Sequence, residues 1–415
     1  MHVAVIGAGA IGLLTAYHLR KRGAEVTLLD RAKVGEACSS GNAGWITPAI
    51  AVPVPSPEVR TTSLRWLLQP GSPLYIKPTA IPAMVPWLWR FWRHCNTEDF
   101  ERGTRALAAL GADTLDQFDR LEADGLSFEQ HRDGLLMVFG KQSSMDGERA
   151  LLERTGYGPF ETLSPDAIRK LEPALRGPYV GGILVKPERH LRPELLCRAV
   201  AGSLAGNRTA IVENAEAFGF EFRGRRASRL ATRQGPVVAD AYVIATGAEA
   251  SRLARQCGTR LPIQAGKGYS LTVEDPATRI HHPLYLAEAK IGVAPFESAV
   301  RVAGTMELSG INSRLDPRRI ASLRRAAETE VPGICDGSRV REWVGMRPLT
   351  PDGLPVIGRL PEQDNVFIAG GHQMMGIFLA PSTGRVIAEL IVDGESSVDL
   401  EPFAPNRFRK QRRPS

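Results

Sequence analysis

The sequence predicts an α/β fold in two parts: an open parallel sheet that begins at the N-terminus, and a discontinuous α+β domain built on an antiparallel sheet. Three observations predict it. A strand, a glycine-rich loop, a helix and a second strand follow one another within residues 1–31. Alternating apolar segments, broken by one charged helix, dominate residues 266–344. Another apolar strand, glycine-rich turn and helix occupy residues 365–394.

The first element, HVAVI at 2–6, is short, apolar and β-branched, as a buried parallel strand is. Leu13, Leu14, Ala16, Tyr17 and Leu19 then recur at helical spacing up to Gly23, a C-cap residue. VTLLD at 26–30 is the next strand. The intervening GAGAIG, residues 7–12, is a G-x-G-x-x-G pattern in the strand–helix–strand setting that a Rossmann-like dinucleotide site requires. Gly7 permits the tight turn, Gly9 lets the backbone approach a pyrophosphate, and Gly12 lets helix and strand pack closely. The helix N-terminus directs N–H groups at the phosphates, which brings Ala8, Ala10 and Ile11 into the cradle. Asp30 ends the second strand eighteen positions past Gly12, with Arg31 after it. A carboxylate there accepts from a ribose diol and repels a 2′-phosphate, which disfavours NADP and leaves FAD and NAD.

Residues 34–59 are rich in Gly, Ser, Ala and Pro and poor in charge. They read as a buried loop pressed against something flat, or as an ordinary interdomain connection. Residues 60–125 read as mostly helical. Within them, residues 81–95 hold Trp87, Trp89, Trp92, Phe91 and two arginines, with the tryptophans off any single clean face. Such a helix either buries its aromatics in the second domain or dips into a lipid headgroup layer. A strand-like run from 177 leads to Pro193, a good first helical residue. DAYVIATGAE at 240–249 reads as a further strand of the nucleotide-binding sheet, passing the backbone of Thr246 and Gly247 close to the cofactor. The segments KGYSLTVED, LYLAEAKIGVAPF and AVRVAGTMEL, with a helix over 318–330, predict the antiparallel sheet. The boundaries expected are 1–60, 177–265 and 345–403 for the nucleotide-binding domain, 61–176 and 266–344 for the substrate domain, and 404–415 for a basic disordered tail.

At 415 residues and 43% hydrophobic content the chain has the make-up of a globular protein of two or three domains. Its net charge is +7, but RFRKQRR at 407–413 carries five positive charges, so the rest sits near +2 and offers no argument for nucleic acid. That tail reads as a solvated end or as a patch attracted to anionic lipid. Cys38, Cys95, Cys197, Cys257 and Cys335 form no CxxC pair, which excludes a zinc framework and a disulfide scaffold and fits a reducing compartment. The histidines show no metal spacing, and no metal is expected. With a strand starting at residue 2 and no run of 18 apolar residues, the expectation is a cytoplasmic protein, touching the inner membrane face through 81–95 and the tail.

Five stretches together resemble the amine-oxidising branch of the FAD-dependent oxidoreductases, the D-amino acid oxidase and glycine oxidase group, and within it the flavin-carrying subunit of bacterial D-amino acid dehydrogenases. They are GAGAIG (7–12), CSSGNAGWITP (38–48), GKGYSLT (266–272), GMRPLTPDGLPVIG (345–358) and AGGHQMMGIFLAPSTGR (369–385). The resemblance implies FAD. It sets Ser39, Ser40, Asn42, Ala43 and Gly44 against the isoalloxazine and the turn near Ala215 at the adenine. The turn from Gly371 through Gly376 and Ile377 to Phe378 then lies along the pyrimidine edge, where main-chain N–H groups stabilise charge on the reduced flavin. Some relatives tether flavin to a cysteine near the segment matching 345–347, here Gly, Met and Arg, so the FAD is expected to be non-covalent.

The chemistry implied is oxidative deamination. Hydride passes from Cα to flavin N5, the imino acid hydrolyses to a 2-oxo acid and ammonia, and electrons go to a quinone or other carrier. Arg347 is the expected anchor for the substrate carboxylate, since a guanidinium grips it through two parallel hydrogen bonds. The competing reading pairs Arg347 with Asp352 or Glu342. Tyr269 would add a hydroxyl to the carboxylate or serve as a core tyrosine. Lys267 would hold a water near N5, and His372 would line the pocket, tune the amine's protonation or be structural. Other functions consistent with the motifs are oxidation of D-hydroxyproline, D-proline, sarcosine or glycine, a non-catalytic flavoprotein subunit, and an NAD-dependent dehydrogenase.

Overall fold

A computed structural model of the chain describes residues 1–60, 74–205 and 209–409. Its nucleotide-binding layer is a six-stranded sheet in the order Thr209–Val212, Glu25–Leu29, His2–Ile6, Ala241–Ile244, Val366–Gly370, Val356–Arg359. The first five strands run parallel and the last is antiparallel. Alternation sends Val3, Val5, Val26, Leu28 and Val243 to one face, under helices Ala10–Lys21, Pro193–Leu204 and Ala380–Val392. Ala4, Ile6, Leu29, Tyr242 and Ile244 face the other way, toward the antiparallel strands Ala217–Arg223 and Arg226–Thr232. The first and last of the three helices touch backbone to backbone. A Cβ on Gly384 would stand 2.5 Å from the Leu14 carbonyl carbon, so only glycine fits there.

The second domain is a nine-stranded, largely antiparallel sheet in which Gln264–Glu274 pairs with the edge strand Arg339–Leu349 on one side and with Ala299–Leu308 on the other. The charged helix, Pro317–Glu330, packs on it through Ile320, Leu323 and Ala327. Both predicted architectures are therefore present.

The domain boundaries need correction. Strand Gly181–Val185 pairs with Leu135–Phe139 and Phe160–Leu163, so the chain returns to the first domain near Pro193 rather than at 177. Residues 345–349 still belong to a strand of the large sheet. Helices Thr97–Gly111 and Thr114–Ala123, expected in the substrate domain, bury Leu107, Leu110, Phe118 and Leu121 in the core of the nucleotide-binding layer. The reason is common to all three: an apolar stripe announces burial without naming the sheet that covers it. Residues 61–73 of the predicted helical stretch lie outside the described residues, and Leu74–Ile76 is an unforeseen strand.

Nor does a free tail begin at 404. Two short 3₁₀ turns cover Glu401–Phe403 and Pro405–Phe408, and Arg407 pairs with Asp352 at 2.7 Å. Residues 410–415 lie outside the described residues. Helix Ile81–His94 divides the two readings of its aromatics. Met84 and Trp87 are buried, whereas Trp89 and Trp92 are 59% and 41% exposed and stack on each other. Among the described residues, no helix is long and apolar enough to cross a membrane.

Candidate active site

A cleft of ≈540 Å³ runs along the C-terminal ends of the parallel strands. Gly7, Gly9, Ala10 and Ile11 line it at the mouth of the first helix, and Asp30 and Arg31 at the end of the second strand. Gly7 holds φ at +107°, and a Cβ there would meet the Ala245 carbonyl oxygen at 2.4 Å. Gly12 packs on Gly7, where a Cβ would lie 1.8 Å from the carbonyl oxygen. Asp30 accepts the N–H groups of Ala8 (2.7 Å) and Ala32 (2.8 Å), so it shapes the loop as well as facing the cleft. Arg31 pairs with Glu249 at the cleft's edge.

Ala215, Thr246 and Gly247 line the opposite wall. The buried Thr246 hydroxyl has no hydrogen-bond partner among the described residues. An orphaned hydroxyl beside a glycine cradle and an open helix N-terminus is what a dinucleotide site requires, and these residues fit one.

The loop at 38–44 contributes unevenly. Ser39 accepts the Ala10 N–H at 3.0 Å and lines the cleft, as does Asn42. Ser40 turns its hydroxyl to the Glu36 and Ala37 carbonyls, and neither it nor Ala43 nor Gly44 lines the cleft. Gly44 instead packs on Leu191, whose oxygen would lie 1.9 Å from an added Cβ. The flat object beneath Gly41 is the Trp343 ring, 2.0 Å from where a Cβ would stand.

In the C-terminal turn, Gly376, Ile377 and His372 line the cleft. Gly371 supplies the turn at φ +74°, while Phe378 faces Gly111 in the core. The His372 ring shares a hydrogen bond with the Thr383 hydroxyl at 3.0 Å, and burial lowers its pKa to about 3. It is a neutral wall residue near neutral pH.

Lys267 and Tyr269 do not reach the cleft. The Tyr269 hydroxyl donates to Glu307 at 2.5 Å, and Lys267 Nζ donates to the other Glu307 oxygen (3.2 Å), to Asn312 (3.0 Å) and to the Arg314 carbonyl (2.7 Å). Burial opposes ionisation of Glu307, but hydrogen bonds from Ser309 and Tyr269 and the charge of Lys267 outweigh it and hold the carboxyl below its ordinary range. Glu307 thus occupies both candidates, a claim that strand alternation alone could not reveal.

Arg347 does not line the cleft either, although Met346 and Pro348 on each side of it do, and its partners differ. Its guanidinium lies over Gly268, with Cζ 2.2 Å from where a Cβ would stand. Nη1 donates to the Thr305 carbonyl at 2.5 Å and meets the Met306 sulfur at 3.8 Å. Asp352 is taken by Arg407, and among the described residues no carboxylate pairs with Arg347. Burial lowers its pKa from the ordinary value, against the opposing influence of nearby Cys38, which itself lines the cleft.

Three residues escaped the sequence reading. Gln373, beside His372, lines the cleft with a φ of +55°, and its place in the glycine turn was a usable signal. Asn312 lines it from the loop after Ala299–Leu308. Arg301, 2% exposed, donates to the Asn42 carbonyl at 2.8 Å and holds the loop down. Nothing in an alternating strand announces that role.

Over residues 2–390 the chain matches the family described as FAD dependent oxidoreductase. The chain belongs to that family. FAD is its cofactor, and the protein is an FAD-dependent amino acid oxidoreductase. It is 30% identical to a D-amino acid dehydrogenase of Azorhizobium caulinodans, over 99% of this chain and 100% of that one. It is also 30% identical to a D-amino-acid oxidase of Bradyrhizobium diazoefficiens, over 98% and 99%. The fold of this oxidoreductase is similar to glycine oxidase from Geobacillus kaustophilus, with a TM-score of 0.76 and 24% identity over 98% of both chains.

One histidine cluster lies outside the cleft. Atoms of His131, Asp133 and His190 come within 4.8 Å of one another. The two imidazoles stack, with centroids 4.7 Å apart and planes 13° from parallel, so their in-plane lone pairs run side by side instead of converging on a cation. His131 also shares a hydrogen bond with Glu129, and His190 with the Pro295 carbonyl.

Proposed function

We propose that the protein oxidises D-amino acids by removing the Cα hydrogen as hydride, giving an imino acid that hydrolyses to a 2-oxo acid and ammonia. The observation that carries this reading is Arg347, a half-buried guanidinium that no carboxylate among the described residues neutralises. A buried charge without a partner is costly, and a substrate carboxylate would supply the missing one. Bound FAD would supply the hydride acceptor. The chain's own contribution is orientation: Arg347 fixes the carboxylate, and His372 forms an uncharged part of the wall. Curated relatives named for D-amino acids support the stereochemistry.

The FAD is held without a covalent link. Gly345, Met346 and Arg347 offer no thiol, and burial raises the pKa of Cys38, the cleft's cysteine, above the ordinary value and suppresses its thiolate. The electron acceptor is a membrane quinone, reached by a peripheral protein. Ile81, Val85, Trp89 and Trp92 form an exposed apolar stripe on one helix, with Arg90 and Arg93 beside them for anionic headgroups.

The test is anaerobic bleaching of the flavin band by a panel of D- and L-amino acids, D-proline, D-hydroxyproline, sarcosine and glycine. Preferential reduction by primary D-amino acids supports the reading, and reduction by none of them rejects it. Acid precipitation that leaves flavin in the pellet would reject the non-covalent link.

A further inference from the structure

The ladder between Gln264–Glu274 and Ala299–Leu308 contains a fault. Lys267 pairs with Glu307, but Tyr269 pairs with Gly304, so one extra residue is accommodated on the second strand. Such a bulge re-aims the groups beside it. Within it Thr305 adopts φ +59°. A β-branched side chain avoids that left-handed region, where glycine would sit without strain. Strained conformations of this kind persist where the surrounding structure holds them, and they cluster at functional sites.

The bulge has a visible result. It presents the Thr305 carbonyl to Arg347 Nη1 at 2.5 Å. It also leaves the buried Thr305 hydroxyl with no hydrogen-bond partner among the described residues, on the same residue that holds the unpaired guanidinium. The hydroxyl has no partner, and it belongs to the residue whose carbonyl holds a guanidinium that no carboxylate pairs with among the described residues; both groups keep the capacity to take a carboxylate.

We propose that Thr305 is a substrate-binding and positioning residue. Its carbonyl holds one arm of Arg347, and its hydroxyl donates to the carboxylate that Arg347 grips. The inference rests on the reading of Arg347 as the carboxylate anchor.

The test uses FAD-loaded wild type, Thr305→Val, Thr305→Ser, Thr305→Gly and Arg347→Ala. Two quantities are read: anaerobic flavin reduction against D-amino acid concentration, and titration with benzoate followed by perturbation of the flavin spectrum. Val is close in shape to Thr and equally strained, so Thr305→Val removes the hydroxyl alone. It should weaken benzoate binding and raise the half-saturating substrate concentration by roughly ten- to a hundred-fold, the loss of one hydrogen bond to a charged group, with a smaller change in limiting rate. Ser should restore binding. Gly should weaken it as Val does while melting at a higher temperature, because its backbone is unstrained there. The Gly variant keeps the test decisive should the Val variant fail to fold. Wild-type benzoate affinity in both Val and Gly variants, with Arg347→Ala impaired, overturns the role of Thr305 and leaves the anchor standing. Unimpaired Arg347→Ala overturns both.

Discussion

Arg301 Nη2 donates to Glu194 Oε1 at 2.9 Å, joining a strand of the large sheet to the helix that follows Pro193 in the nucleotide-binding domain. Nη1 of the same guanidinium holds the Asn42 carbonyl, and Nε donates to Thr272. One buried side chain therefore fixes both domains and the loop at the cleft. Arg301→Met should destabilise the protein by about 3 kcal/mol, since it strands Glu194 with Arg192 alone. FAD affinity should fall with it. Thermal melts with and without added FAD check this; a variant that melts and retains FAD like wild type would free Arg301 of the role.

Arg347→Ala should keep the fold and FAD but lose turnover. Removing one partner of a charge-assisted pair costs on the order of 2–4 kcal/mol, or roughly thirty- to a thousand-fold in kcat/KM. Arg347→Lys should also be impaired, because an ammonium lacks the planar fork. Stopped-flow flavin reduction with amino acids and with amines lacking a carboxylate measures both, and only the former should suffer.

Tyr269→Phe should leave kcat/KM within about threefold of wild type and lower stability by about 1–2 kcal/mol, the value of a buried hydrogen bond to Glu307. A large loss of turnover with unchanged melting would return Tyr269 to the substrate.

His372 is buried neutral, with its pKa lowered to about 3. The unfolded chain, where histidine titrates near 6.5, binds the extra proton first. Its contribution to stability is thus complete above about pH 6.5 and shrinks as pH falls toward 3. At pH 5 the loss is about 2 kcal/mol. His372→Gln should flatten this part of the stability profile, measured by denaturant melts from pH 4.5 to 7.5. The turnover profile over the same range should show no limb that disappears with the substitution.

Flotation with anionic liposomes at low salt tests the exposed stripe. Trp89→Glu with Trp92→Glu should abolish binding, and added salt should weaken it in the native protein. Equal flotation of the double variant would move the contact elsewhere.

Much of this was legible in the sequence because some chemistry admits few residues. Gly7 and Gly12 are needed where backbone must approach backbone, and Asp30 stands where a strand ends. The substrate side was harder to read. Lys267 and Tyr269 alternate onto one face, but whether that face meets ligand or core depends on Glu307, forty residues along the sequence on a neighbouring strand. Arg347 had two acidic candidates nearby in sequence, and the decisive fact, that Arg407 takes Asp352, is made by a distant segment. Thr305 gave no signal at all, since a bulge is a property of two strands in register.

The contact of Gly384 with Leu14 sets an order on synthesis. The first helix leaves the ribosome early, yet the surface that covers it is encoded some 370 residues later. Until then the nascent nucleotide-binding layer lacks two strands, one helix and the C-terminal turn of its cleft, with apolar surface exposed for chaperones to cover. A chain cut short before residue 366 lacks the strand and turn that bring His372, Gln373, Gly376 and Ile377 to the cleft, and it is expected to purify colourless.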